Sequence, residues 1–140
     1  MKYYELEPEV SGGFGERSII DSSFHPPIVK RLHILFDGWL GDQLLETFPC
    51  FVISNDLASE IRNKMLTGYD FDDVEIEKSD QFKDLYGEKD LPKFYWLKVN
   101  GKPGISDFGI SDQFTLIVSE RALDLIKSRL RNCDIKDWKR

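Results

Sequence analysis

Four side chains in this sequence have the chemistry to ligate a soft or borderline metal ion: His25, His33, Cys50 and Cys133. Local zinc motifs space their ligands about two to five residues apart, and no two of these four lie that close. The sequence therefore predicts no metal site. We expect His33, inside an apolar run, to be a hydrogen-bonded structural residue and His25 to be exposed in a loop. Both cysteines are expected to be reduced, buried thiols.

The sequence contains no arrangement typical of nucleophilic catalysis or phosphate binding. Ser54 and Ser119 each stand between an apolar run and a helical pattern, where helix capping explains them, and no Gly-x-Ser-x-Gly motif occurs. The glycine-rich stretch 12–15 lacks the Gly-Lys-Ser/Thr ending of a phosphate-binding loop. Residues 107–109 match the Asp-Phe-Gly tripeptide of kinases without the accompanying His-Arg-Asp motif. We therefore predict no catalytic residues, no cofactor and a protein that is not an enzyme.

Carboxylates are the reactive groups that the sequence concentrates in one place. Over residues 70–77 apolar side chains alternate with acidic ones, and the doubled Asp72-Asp73 interrupts the alternation as a bulge would. A line of negative charge suits docking of a basic partner, and it also suits an edge strand that charge protects from aggregation. The predicted partner-binding residues are Asp70, Asp72, Asp73, Glu75, Glu77, Asp80, Asp84 and, as an aromatic rim anchor, Tyr86.

The charge of the chain is unevenly distributed along it. The 140 residues carry a formal net charge of −6. Residues 70–90 hold nine acidic and three basic side chains, whereas residues 121–140 hold three acidic and seven basic ones. The overall acidic balance argues against nucleic-acid binding, which needs a concentration of Lys and Arg. A basic protein partner fits this charge better.

The sequence shows no feature of secretion or membrane insertion. The start of the chain lacks an apolar segment of signal-peptide length. The longest apolar runs are a handful of residues, well short of the ~20 that a bilayer-spanning helix needs. We therefore expect a cytoplasmic protein without a membrane partner.

Trp39 supports a second interpretation of the function. It lies between Gly38 and Gly41, where it either plugs the edge of the core or contacts a ligand at the rim of a site. The loop 101–112 is long enough to carry function. The alternative function is therefore a small-molecule-binding or enzymatic domain with a pocket near Trp39 and this loop.

Two segments of similar pattern, 51–76 and 116–135, organise the chain. In each, a short apolar run is followed by a serine, an apolar stripe at helical spacing and a second short strand. We interpret them as two strand–helix–strand units, and the pattern leaves the strand directions open. The chain is predicted to be a single α+β domain, residues 1–140, with a mixed sheet, helices packed on it, and a loop-rich segment over 1–27.

The remaining elements follow from apolar runs and turn residues. Asn100-Gly101 is a hairpin signal after the strand that precedes it. Strands are predicted over 3–6, 28–36 and 93–99, a short helix over 41–48, and helical or irregular structure over 77–90.

Four segments resemble small bacterial proteins that act as immunity partners in polymorphic-toxin systems: residues 32–42 (LHILFDGWLGD), 49–54 (PCFVIS), 71–75 (FDDVE) and 116–121 (LIVSER). The resemblance implies an α+β protein that binds a cognate toxin domain in the cytoplasm and blocks its active site or its access to substrate. Without a signal peptide, it points to a toxin that acts inside the cell, such as a nuclease or a nucleotide-modifying enzyme. It assigns no individual binding residues; the acidic segment 70–90 is our own inference from charge.

Overall fold

Residues 1–139, which the computed structural model describes, form thirteen β-strands, three α-helices and a 3₁₀ turn, Lys127–Arg129. Arg140, the last residue of the basic segment 121–140, lies outside the described residues. The predicted α+β class is confirmed in a single compact domain. The helices are Asn55–Asn63 (α1), Asp80–Tyr86 (α2) and Glu120–Ile126 (α3). The strands are Tyr3–Glu7 (β1), Gly12–Phe14 (β2), Ile19–Asp21 (β3), Ile28–Arg31 (β4), His33–Phe36 (β5), Leu44–Thr47 (β6), Cys50–Ser54 (β7), Tyr69–Asp72 (β8), Glu75–Lys78 (β9), Phe94–Val99 (β10), Phe108–Ile110 (β11), Leu116–Ser119 (β12) and Asp134–Trp138 (β13).

The two predicted strand–helix–strand units lie in two four-stranded sheets, of order β6-β7-β10-β8 and β11-β12-β1-β13. In the first sheet β7 leads through α1 to β8, and both strands pair antiparallel with β10 between them. In the second sheet β12 leads through α3 to β13, and both pair antiparallel with β1. The two strands of each unit therefore run parallel to each other, separated by one antiparallel strand.

The two large sheets are equivalent strand for strand. A strand directly before each unit, β6 or β11, forms a hairpin with the first strand of that unit and lies at one edge of its sheet. The sheets differ in where the inserted strand comes from, because β10 follows its unit in the chain whereas β1 comes from the start of the chain. The internal similarity thus extends to whole sheets, one of them permuted in chain order.

Ser54 and Ser119 cap α1 and α3, as the sequence predicts, and each accepts the N–H three residues further on, at 3.3 and 3.2 Å. Each serine also bonds twice to the residue that precedes the edge strand. Ser54 donates its N–H to Gln43 O at 2.9 Å and its hydroxyl to Gln43 Oε1 at 2.7 Å. Ser119 donates to Asp107 O and Oδ1 in the same way, at 2.9 and 2.6 Å. The repeat is therefore preserved down to individual hydrogen bonds.

Two apolar cores sandwich the first large sheet. Helices α1 and α3 bury their apolar stripes in the first core, together with β1 and β12. The second core covers the opposite face with residues of β5 and α2, among them Phe36 and Phe82, and contains Trp96 of β10. Burial on both faces removes most apolar surface of this sheet from water, which is the main favourable contribution to folding.

The predicted helix over 41–48 is wrong, because this segment contains β6. Leu44 faces the first core and the adjacent Leu45 faces the second. A strand that is covered on both sides carries neighbouring apolar residues, so its sequence lacks the alternation that marks a half-exposed strand.

Two predicted strands are each divided between different sheets. The segment 28–36 forms β4 and β5, and the segment 69–76 contains β8 and the start of β9. β9 pairs parallel with β5, and Glu75 N–H donates to Leu32 O at 3.0 Å. The interruption at Asp72-Asp73 is therefore a passage between sheets and not a bulge.

Asn100-Gly101 does not form a hairpin. Both N–H groups donate to Gly68 O, at 2.9 and 3.1 Å, and the next strand, β11, pairs with β12. A Cβ on Gly101 would lie 2.7 Å from Gly68 Cα, so glycine is required by the close approach of two chain segments. Within residues 1–139 no helix has the length and apolar character needed to cross a membrane.

Candidate functional site

The acidic segment 70–90 is not one continuous line of charge. Asp70 and Asp72 lie on β8, in the first large sheet, whereas Glu75 and Glu77 lie on β9, which belongs to the sheet β2-β5-β9. Asp80, Asp84 and Tyr86 lie on α2, which Ser79 caps by accepting the N–H of Phe82. The structure thus distributes the predicted partner-binding residues over three elements.

Basic side chains from elsewhere in the chain neutralise part of this segment. Arg17 binds Glu75 at 2.6 Å and Glu77 at 3.0 Å, and Lys98 binds Asp72 at 2.9 Å. The hydrogen bond from Arg17 lowers the pKa of Glu75, and the hydrogen bond from Lys98 lowers the pKa of Asp72. These pairs are exposed, so each contributes little to stability, but they remove negative charge from the surface.

His33 holds Arg17 in this position. The buried imidazole accepts the Arg17 N–H at Nδ1, at 3.1 Å, which leaves the ring hydrogen on Nε2 to donate to Glu77 at 2.9 Å. A Cβ on Gly15 would lie 2.1 Å from Nδ1, so the glycine makes room for the ring. His33 is therefore a hydrogen-bonded structural histidine, as the sequence predicts, and His25 is exposed.

Three of the predicted acidic residues keep an unopposed charge. Asp73, Asp80 and Asp84 are exposed. Among residues 1–139 none of the three forms an ion pair, although Asp80 lies in the first turn of α2, where a carboxylate is favourable. Asp70 accepts a hydrogen bond from Asn100 Nδ2 at 2.7 Å and keeps its charge as well. Together with Glu88 and Asp90, which are also exposed and form no ion pair within residues 1–139, these four carboxylates are the part of the segment available to a basic partner.

Trp39 and Tyr86 lie close together, although the sequence predicts them for different sites, Trp39 for a ligand pocket and Tyr86 for the partner-binding surface. Lys89 Nζ lies 5.3 Å from the centroid of each ring. Trp39 packs edge-on against Phe94 in the second core, and its Nε1 donates to Asp42 O at 2.8 Å. Trp39 therefore closes the edge of the core while part of it lines a surface depression.

A buried carboxylate fixes the loop that carries Trp39. Glu9, only 6% exposed, accepts the N–H of Leu40 at 2.7 Å and of Asp42 at 3.2 Å. Asp42, 1% exposed, accepts three hydrogen bonds from Arg131 and Asn132. The loop is thus rigidly held, yet the Leu40 side chain at its centre is 65% exposed.

Two neighbouring depressions meet at Leu40, and we name them together the Leu40 groove. They have volumes of about 540 and 400 Å³ and share Glu9, Val10 and Leu40. The larger is further lined by Glu7, Glu46, Phe48, Phe114 and Asp134, and the smaller by Asp37, Trp39, Gln81, Leu85 and Tyr86, among others. Sequence reasoning found Trp39 and Tyr86 and missed the rest, because the groove is assembled from segments far apart in the chain.

The larger depression combines aromatic and acidic side chains. Phe48, Phe114 and His25 form a cluster in which the ring centroids lie 5.5–6.5 Å apart. Around it, Glu7, Glu46 and Asp134 form no ion pair or side-chain hydrogen bond with any residue in 1–139. Burial and the charge of Glu7 raise the pKa of Glu46. The rim is therefore acidic and uncompensated.

The loop 101–112 and Trp39 line different depressions. The depression at the loop, of about 620 Å³, includes Lys102, Pro103 and Trp138. Two of its polar side chains, Glu5 and Ser111, are both bonded to Thr115: Thr115 donates to Glu5 at 2.7 Å and its hydroxyl lies 2.6 Å from that of Ser111. The predicted pocket near both Trp39 and this loop is thus two separate depressions. Among residues 1–139 no group of three or more His, Cys, Asp or Glu side chains is arranged to hold a metal ion.

These features define an α+β protein in which the two four-stranded sheets are equivalent, with an apolar groove that has an acidic rim. Comparison of the chain with protein-family models and with curated protein sequences found no match.

Proposed function

We propose that this protein is a non-enzymatic inhibitor of the immunity type, which binds a basic toxin domain in the cytoplasm and blocks its active site or its access to substrate. The observation that carries the proposal is the set of exposed carboxylates in segment 70–90 without an ion pair in the described chain, among them Asp73 and Asp84. Such charge attracts a basic cleft, and nuclease clefts are basic because they bind phosphate. The resemblance of four segments to immunity partners supports the same function.

The polar clusters support binding more than catalysis, because their groups already bond to one another. Asp107 accepts hydrogen bonds from Arg121, Ser119 and Thr67, and His33 is held by Arg17 and Glu77. Burial raises the pKa of Cys50 and that of Cys133 to about 12, which leaves little thiolate at neutral pH. A protein-binding surface needs none of these groups to be free.

The test of the function uses the polypeptide encoded beside this gene. We expect a toxin-like domain there that binds the full chain in isothermal titration calorimetry, and expression of this chain should restore growth to cells that produce the toxin. The absence of a toxin-like neighbour, or a neighbour that does not bind, would remove the proposal.

The role of the acidic segment is tested by removing charge without disturbing packing. Asp73→Asn with Asp84→Asn should slow association with the toxin domain and reduce its dependence on salt. Glu120→Gln with Asp124→Asn, which removes the same charge from exposed positions on α3, is the matched control. Equal association rates for the two double variants would assign the acidic segment to solubility.

A further inference from the structure

The Leu40 groove exposes more apolar surface than an isolated surface residue does. Val10, Leu40 and Leu85 line it and are 69%, 65% and 66% exposed, and Phe48 is 43% exposed. Single exposed apolar residues are common, but several around one concave surface are typical of a protein-binding site. The grouping therefore calls for a partner that covers it.

The exposed leucine is held in place before any partner arrives. Glu9 accepts hydrogen bonds from the backbone N–H groups of Leu40 and Asp42. In the same loop, the Nε1–H of Trp39 donates to Asp42 O. A buried carboxylate is a costly way to hold a loop unless all its bonds are made, and here it fixes the backbone that carries an exposed apolar side chain. A loop preorganised in this way loses little backbone entropy on binding.

The charge around the groove specifies the chemistry of its occupant. Glu7, Glu46 and Asp134 lie beside the aromatic cluster and have no basic partner in residues 1–139, and Asp37 is exposed at the other depression. Burial and the charge of Glu7 raise the pKa of Glu46, so the carboxylate would gain from a neighbouring cation. An incoming Lys or Arg side chain would supply that cation and leave its aliphatic stem on Phe48 or Phe114.

We propose that the Leu40 groove binds a segment of the partner protein in which an apolar side chain lies next to a Lys or Arg. The apolar side chain packs on Val10 and Leu40, and the cation lies among Glu7, Glu46 and Asp134. This proposal rests on the proposed function, since it places the tightest contact with the toxin domain at the groove and leaves longer-range attraction to segment 70–90.

The first experiment measures binding of the neighbour-encoded toxin domain to Leu40→Ser and Val10→Ser. Both side chains are exposed, so the variants should keep the thermal midpoint of the wild type. We expect each to weaken binding at least about tenfold, as interface anchors do, whereas Met65→Ser and Ile105→Ser, at equally exposed positions elsewhere, should not. If the wild type binds the toxin domain and both groove variants bind it equally well, the proposed role of the Leu40 groove is wrong and the proposed function still stands.

The second experiment needs no toxin. Random dodecapeptides displayed on phage are selected on the full chain, and the enriched peptides are then measured against Leu40→Ser. We expect enriched peptides to pair an apolar residue with Lys or Arg and to lose binding to the variant. Failure to enrich any peptide, or enrichment of peptides that bind the variant equally, would overturn the groove. Self-association of the wild type that Leu40→Ser abolishes in analytical ultracentrifugation would assign the groove to a second copy and overturn the proposal as well.

Discussion

Ser119 donates its hydroxyl hydrogen to Asp107 Oδ1 at 2.6 Å while its own oxygen accepts the N–H of Ala122, the third residue of α3. Asp107 in turn receives two hydrogen bonds from Arg121 and two from Thr67. One buried carboxylate thus joins the loop before β11, the loop before β8 and the start of α3. In the other half the neutral Gln43 occupies the equivalent position beside Ser54.

Asp107 should make stability depend on acidity. Burial raises its pKa, but the hydrogen bonds from Arg121, Ser119 and Thr67 and the charge of Arg121 together lower the pKa to about 2. Since this lies below the unfolded value, the stabilisation is complete above about pH 5 and is lost as the pH falls through 2. Wild type should lose about 2 kcal/mol of unfolding free energy over this range from this group.

Urea unfolding at pH 7, 5, 3 and 2 measures this loss. Asp107→Asn should be less stable at pH 7 and should lose less stability on acidification than the wild type does. The exposed Asp73→Asn is the control and should retain the wild-type dependence. If Asp107→Asn and wild type decline in parallel, the carboxylate is not the group that titrates.

The two cap serines should differ in their contribution to stability. Each caps a helix and donates to one acceptor, but Ser119 donates to a carboxylate and Ser54 to an amide. A hydrogen bond to a charged group is the stronger of the two. Ser119→Ala should therefore cost about 2–3 kcal/mol and Ser54→Ala about 1–2 kcal/mol, measured by chemical unfolding at pH 7. Equal losses would contradict the role of charge.

Gly15→Ala should destabilise the protein by about 1–3 kcal/mol, because the added Cβ would lie 2.1 Å from the His33 ring. Gly13→Ala, with no atom within 4 Å of the added Cβ, is the control and should be nearly neutral. In a double-mutant cycle, the cost of Gly15→Ala should shrink when His33 is replaced by alanine. An undiminished cost would place the strain in the backbone instead.

Glu46→Gln should have opposite effects on stability and on binding. Because the folded state raises the pKa of Glu46, its ionised form costs stability at neutral pH. The variant should gain about 0.5 kcal/mol or less in thermal unfolding, and it should bind the toxin domain more weakly. A variant that is less stable than the wild type would show that the charge is compensated.

Local signals predicted the repeated units and their caps, because the apolar stripe of a helix and the serine before it lie within a few residues of each other. Contacts over long separations were not predictable. Arg17 neutralises Glu75 across 58 positions, and Val10, Leu85 and Phe114 meet at one groove from three parts of the chain. The sequence shows how many charged side chains segment 70–90 holds. It could not show which of the carboxylates would form ion pairs with residues far away in the chain.

The insertion of β1 between β12 and β13 has a consequence for biosynthesis. Tyr3 pairs with Ser119 on one side and with Trp138 on the other, so β1 leaves the ribosome more than 100 residues before either of its neighbours. The sheet of β6, β7, β8 and β10 can close while translation continues, whereas the second sheet closes only after β12 and β13 have been synthesised. Contacts of such long range slow folding, and an unpaired edge exposed meanwhile is open to association. The acidic residues at positions 5 and 7 place charge on that waiting strand, which discourages nascent chains from pairing with one another.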